Sequence, residues 1–150
     1  MKVSDILRVK GNALCTASPE HSLWSAVQTM AEHDIGSVVI MERGALVGML
    51  TFREVIKRLH ANRGAVGDGS VRDVMDASPM TVTPHTDVNE VRRVMLERHT
   101  RYLPVLDGTT LAGVISFYDV ARAVLDEQGY ENEQLKAYIQ DWRPVSEGVG

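Results

Sequence analysis

Apolar residues recur at helical spacing in two stretches of the chain: Leu23, Ala26, Val27 and Met30, then Val88, Val91, Val94 and Met95. Each stretch predicts an amphipathic helix. Ser22 and Asp87 stand where a side-chain oxygen would cap the first free N–H groups. Two β-rich runs follow each helix. Ser37–Met41 and Ala45–Leu50 are joined by a tight turn at Glu42-Arg43-Gly44, and Tyr102–Leu106 and Leu111–Ile115 are joined through Asp107-Gly108. Thr51 and Ser116 then open further helices, expected to bury Val55, Ile56 and Leu59 in one case and Val120, Val124 and Leu125 in the other. Ahead of each first helix lie a short amphipathic turn (Val3–Leu7; Val71–Met75) and a brief strand near Leu14–Thr16 or Met80–Val82.

The two series are copies of one another. Gly48-Met49-Leu50-Thr51-Phe52-Arg53-Glu54-Val55 returns as Gly113-Val114-Ile115-Ser116-Phe117-Tyr118-Asp119-Val120, and the same offset takes Pro19 to Pro84, Leu23 to Val88 and Met30 to Met95. Val3-Ser4-Asp5-Ile6-Leu7 matches Val71-Arg72-Asp73-Val74-Met75 at a slightly longer offset, which places three extra residues near Lys10–Leu14 in the first copy. The division expected is residues 1–62 for the first copy, a flexible Gly-rich linker over 63–70 and the second copy over 71–128. A C-terminal helix over 129–143 and a loose tail over 144–150 complete it. A unit of this size is marginal alone. Two copies packed pseudo-symmetrically through their sheets would bury what each leaves open and create two equivalent clefts between them. The fold class expected is therefore α/β.

Composition narrows the function classes. Sixteen basic residues face 20 acidic ones, for a formal net charge of −4. No clustered basic face for nucleic acid is expected from that balance. Residues 1–125 are balanced. The acids Asp126, Glu127, Glu131, Glu133, Asp141 and Glu147 outweigh Lys136 and Arg143 in the remainder. No apolar run is long enough to span a membrane, and Lys2, Asp5, Arg8 and Lys10 interrupt any secretory signal, so a cytoplasmic protein is expected. Cys15 is the single cysteine and reads as a small core residue. His21, His33, His60, His85 and His99 have no metal-ligand spacing. Gly64–Gly69 lacks the Lys-Ser/Thr of a phosphate loop.

The candidate chemistry lies where a strand passes into a helix. The free N–H groups at such a helix start suit an anion. Ser116 adds a hydroxyl, and Asp119 lies one turn on, where its carboxylate can accept from the paired hydroxyls of a ribose. Thr51-x-x-Glu54 and Ser116-x-x-Asp119 are also capping boxes in their own right, so only their place in a duplicated unit raises them above helix punctuation.

Two Gly-h-h-Ser/Thr-x-x-acid segments, the Tyr102-Leu103-Pro104-Val105-Leu106-Asp107 strand and the Val-x-Asp-h-h starts at Val3 and Val71 occur in this order. Over roughly residues 3–126 the chain resembles a tandem pair of cystathionine-β-synthase (CBS) domains, the Bateman module. The resemblance implies binding of an adenosyl ligand (AMP, ADP, ATP, NAD or S-adenosylmethionine) between the repeats. It also implies a disc-like homodimer and regulatory sensing of the nucleotide, read by an unidentified protein partner, without catalysis or a catalytic cofactor. By the same resemblance Ser116 and Arg101, with His99 nearby, would meet phosphate and Asp119 the ribose. Asn12, Ala13, Leu14, Ile35, Gly36, Ser37 and Val38 would then lie against the base, with small Gly36 and Ser37 leaving room for it. The second cleft departs from the pattern. Glu54 replaces the aspartate, and Thr51, Arg53, Met80, Tyr102 and Leu103 are its remaining candidates. A ligand-free adaptor, acting through its dimer face or acidic C-terminal helix, is the alternative.

Overall fold

The computed structural model describes residues 1–11 and 14–128, so the C-terminal helix expected over 129–143 lies outside the described residues. The elements run α1 (Val3–Lys10), β1 (Thr16–Ala17), α2 (Leu23–His33), β2 (Ser37–Glu42), β3 (Ala45–Thr51) and α3 (Phe52–Ala61). After a 3-10 turn at Val71–Asp73 come α4 (Val88–Arg98), β4 (Tyr102–Asp107), β5 (Thr110–Ser116) and α5 (Phe117–Gln128). One sheet has the order β1-β2-β3 and the other is the β4-β5 hairpin. The duplication reaches fine detail. Both hairpins carry a register shift at the matching place, between Ile40 and Met41 and between Val105 and Leu106. Ser22 accepts from Ser25 N and Asp87 from Asn89 N, so both expected caps are present. Each capped helix ends on a left-handed residue, Asp34 or His99.

Alternation along the strands divides their side chains between two faces. Val38, Ile40 and Leu50 join Leu23, Ala26 and Met30 of α2 in one core. Leu103, Val105 and Ile115 join Val88, Val91 and Met95 of α4 and Val120 of α5 in the other. On the opposite sheet faces Val39, Met49 and Pro104 are also buried, and β3 meets β5 there.

Each core takes in a segment from the other sequence copy. Val3 and Ile6 of α1 lie in the second repeat's core, with Leu7 against it. Val71 lies in the first repeat's core, with Val74 and Met75 against it. The backbone bonds of this exchange are mirrored. Val3 N donates to Thr86 O (3.0 Å), Ser4 N to Pro84 O (2.9 Å) and Val88 N to Met1 O (3.0 Å). At the matching places Val71 N donates to His21 O (2.8 Å), Arg72 N to Pro19 O (2.9 Å) and Leu23 N to Gly69 O (2.9 Å).

Several local expectations need correction. Ile56 is 62% exposed, because the inward stripe of α3 runs through Val55 and leaves Ile56 beside Phe52 on the outer face. Val71–Met75 forms only a 3-10 turn at its start, while Val3–Lys10 extends to two turns of α-helix. Met80–Val82 contributes a single bridge, Val82 to Val105, since Pro79 and Pro84 remove ladder donors on either side. The linker is tied down. Arg58 donates to Val66 O and Asp68 O, Asn62 to Ala65 O, and Val66 sits against the first core.

Since each core contains the other copy's leading segment, the chain should unfold in urea as one transition seen alike by circular dichroism and fluorescence. Ile6→Ala should lower stability by about 2–4 kcal/mol, and a loss below about 0.5 kcal/mol would show that α1 does not support that core. Acid should act on the same helix. The backbone N–H of Lys2, and then Arg8, hold the Asp5 carboxyl below its ordinary 3.8. A lowered folded-state value adds stability above that pH and loses it as pH falls through the lowered value. The melting-temperature gap between the native chain and Asp5→Asn should therefore shrink between pH 7 and pH 3.

Candidate functional site

β5 delivers Ser116 to the start of α5, and the backbone there closes a reciprocal cap. Ser116 N donates to Asp119 Oδ2 (2.8 Å), and Asp119 N donates to Ser116 Oγ (3.1 Å). The Ser116 hydroxyl accepts in this arrangement, so its own proton is available to a ligand. Phe117 N donates to Arg101 O (2.8 Å), which sets the exposed Arg101 beside the same helix start.

A residue outside the expected set completes the arrangement. Lys10, at the C-terminal end of α1, donates from Nζ to Asp119 Oδ2 (2.7 Å) and to Val114 O (2.8 Å). The carboxylate is 18% exposed and the lysine side chain 35%. This ion pair exists because α1 crosses to the second repeat. Asp119 Oδ1 has no hydrogen bond among the described residues. The only trace of Lys10 in the sequence was its place at the three-residue insertion of the first copy.

At the matching position of the first repeat the same spacing gives different chemistry. Glu54 Oε1 accepts from Thr51 N (2.7 Å) and also from the Thr51 hydroxyl (2.8 Å), so that hydroxyl proton is spent inside the cap. Arg53 reaches across to the His99 carbonyl (3.1 Å), the C-cap of α4. No ion pair to Glu54 is present among the described residues. A surface hollow of about 490 Å³ beside α3 is lined by Arg53, Glu54, Lys57, Arg58, Asp73 and Asp76. Another, of about 340 Å³, lies between β1 and α2 beside Thr16, His21 and Thr29. Neither is lined by Asp119.

The expected base-binding residues fare unevenly. Asn12 and Ala13 lie outside the described residues. Leu14 is exposed, and Ile35 and Ser37 are half-buried at the approach to β2. Val38 and Leu103 point into the helix-side cores and leave only backbone to a ligand. Met80 rests against the second core. Gly36 does not open onto free space. A Cβ there would run into the Tyr102 hydroxyl and come 3.2 Å from Phe52 Cε2, so the second repeat's ring already occupies the gap. His99, a left-handed C-cap, is exposed. Among the described residues no group of three or more His, Cys, Asp or Glu could hold a metal ion, and no helix is long and apolar enough to cross a membrane.

Comparison with known proteins places this geometry. The CBS domain-containing protein CBSX3, mitochondrial, of Arabidopsis thaliana is 30% identical over 149 residues, covering 92% of this chain and 71% of the relative. The crystal structure of the CBS-domain containing protein ATU1752 from Agrobacterium tumefaciens superposes with a TM-score of 0.76 at 30% identity. That match covers 82% of this chain and 98% of that one. The structure of CBSX2 in complex with AMP shares the fold at a TM-score of 0.69 and 22% identity, over 83% of this chain and 97% of the other. The family model for the CBS domain matches residues 3–61 and again residues 71–126, and this chain, a tandem pair of such domains, belongs to that family.

Proposed function

We propose that this CBS pair is a non-catalytic regulatory module that binds an adenine nucleotide in the cleft at Asp119. The observation that carries the reading is the second repeat's helix start. A hydroxyl with a free proton at Ser116 and a carboxylate with one unbonded oxygen at Asp119 stand together at the start of α5, where Phe117 N and Asp119 N already have acceptors within the protein. A phosphate fits the Ser116 hydroxyl and the positive end of the α5 dipole, and the two hydroxyls of a ribose fit Asp119. The AMP complex of CBSX2 is consistent with that ligand class, but only the fold is shared at that identity. AMP, ADP and ATP are the ligands proposed first, with NAD as a competitor for the same adenosine contacts. Arg101 and His99 would approach the phosphate, and Leu14, Ile35, Ser37 and the backbone of Val38 the base. The cleft at Thr51 and Glu54 would bind more weakly, because the Thr51 hydroxyl proton is spent on Glu54 Oε1 and no cation is paired with Glu54 among the described residues. Bound nucleotide would favour one arrangement of the module, which a protein partner reads.

Isothermal titration should detect AMP or ATP binding to the native chain, and Asp119→Ala should weaken it tenfold or more, as expected for loss of a charged acceptor. No binding below millimolar concentration, or an unaltered affinity in the variant, would overturn the reading.

The outer face of α3 and α5 supports a second element of the proposal, a homodimer. Phe52 (53% exposed), Ile56 (62%) and Tyr118 (72%) present apolar or aromatic surface that one chain does not cover. Light scattering should give twice the chain's 16.6 kDa, and Ile56→Glu should return it to a single chain. A native monomer would refute this element and leave the ligand reading standing.

A further inference from the structure

We propose that Lys10 sets the charge preference of the Asp119 cleft, making it a site for nucleotides over the uncharged nucleoside. The inference rests on the nucleotide reading above and assigns a specificity-determining role to a residue outside the repeated motif.

Lys10 Nζ lies 2.7 Å from Asp119 Oδ2 and 2.8 Å from Val114 O. An ammonium has three donors, so one remains for a ligand. Asp119 Oδ2 is itself 2.8 Å from Ser116 N, which brings the lysine charge to the start of α5. Ribose hydroxyls can use the unbonded Oδ1 while Lys10 keeps Oδ2. Lys10 Nζ on one side and Ser116 N on the other both meet Asp119 Oδ2, so the carboxylate charge is neutralised beside the helix start where the phosphate would lie.

Without Lys10 that neutralisation is lost. Asp119 would stand as an uncompensated negative charge one helical turn from the phosphate. At about 5 Å in a partly screened setting, that repulsion is worth about tenfold in affinity. A nucleoside carries no phosphate and escapes the penalty. The selectivity belongs to one cleft only. In the other half the residue matching Lys10 is Ser78, whose N–H donates to its neighbour Asp76, and no ion pair to Glu54 is present among the described residues.

The test is titration of AMP and of adenosine into the native chain, Lys10→Met and Lys10→Arg, with melting temperatures to confirm that each variant is folded. Lys10→Met should weaken AMP about tenfold and change adenosine by less than about threefold, with a shallower salt dependence for AMP. Lys10→Arg, which keeps the charge, should retain most of the native AMP-to-adenosine ratio. Equal effects on both ligands, or no effect on AMP, would overturn the inference while leaving the nucleotide reading intact. If neither ligand binds any of the three proteins, the nucleotide reading fails and this inference with it.

Discussion

The exchange of leading segments is the constraint on which the rest of the structure depends. Val3 and Ile6 complete the core built by α4, β4, β5 and α5, and Val71 completes the one built by α2, β2 and β3. Burying side chains of this size contributes roughly 1.5–3 kcal/mol each. Neither repeat reaches that burial with its own leader, because the leader's backbone is hydrogen-bonded to the other copy's Pro19–His21 or Pro84–Thr86 loop. The exchange also builds the site. Once Val3 and Ile6 are fixed in the second core, α1 runs across β5, Leu7 comes against Gly113, and the end of the helix brings Lys10 to Val114 O and Asp119. A Cβ at Gly113 would lie 2.9 Å from Leu7 Cδ2, so glycine there is what lets the helix approach.

One mould thus produces two helix starts with unlike chemistry, and a single methylene accounts for much of the difference. Glu54 is long enough to fold back so that one carboxylate oxygen takes both the Thr51 N–H and the Thr51 hydroxyl. Asp119 is shorter. Its Oδ2 takes the Ser116 N–H, and the Ser116 hydroxyl accepts from Asp119 N in place of donating to the carboxylate. The first arrangement spends its hydroxyl proton on its own carboxylate. The second leaves its hydroxyl proton unused and draws a cation from another element to balance its charge.

What was legible in the sequence follows the range of the interactions. Helix caps are settled within three residues, and Ser22 and Asp87 act as their position implies. The repeat carried the strand pairing and the family with it, since matched residues at a fixed offset must do matched structural work. The exchange was written only as a change of offset between leader and body, which marks an insertion but not the direction in which the leader packs. Lys10 was invisible for the same reason: its partners lie more than a hundred residues away. Gly36 misled for a further reason. A small residue signals close approach without naming what approaches, and here it is Tyr102 of the other repeat. Ile56 was lost to a phase error of one position on α3, where its partner is Phe52 on the outside and not Val55 within.

These features tie the cleft to the stability of the whole chain. Lys10, Ser116 and Asp119, proposed to meet the phosphate and ribose of a ligand, belong to α1, β5 and α5, three elements that also close the second core. Any molecule that binds across them favours the state in which α1 is docked, and stabilises it by an amount set by its concentration relative to its dissociation constant. Because α1 and Val71 exchange places symmetrically, tightening one leader bears on the loops that hold both. Lys2 bridges Asp87 at one end as Ser22 bridges Ser70 at the other. With α1 docked in the second core and paired through Lys10 with Asp119, a ligand at the proposed cleft would change how firmly that leader is held.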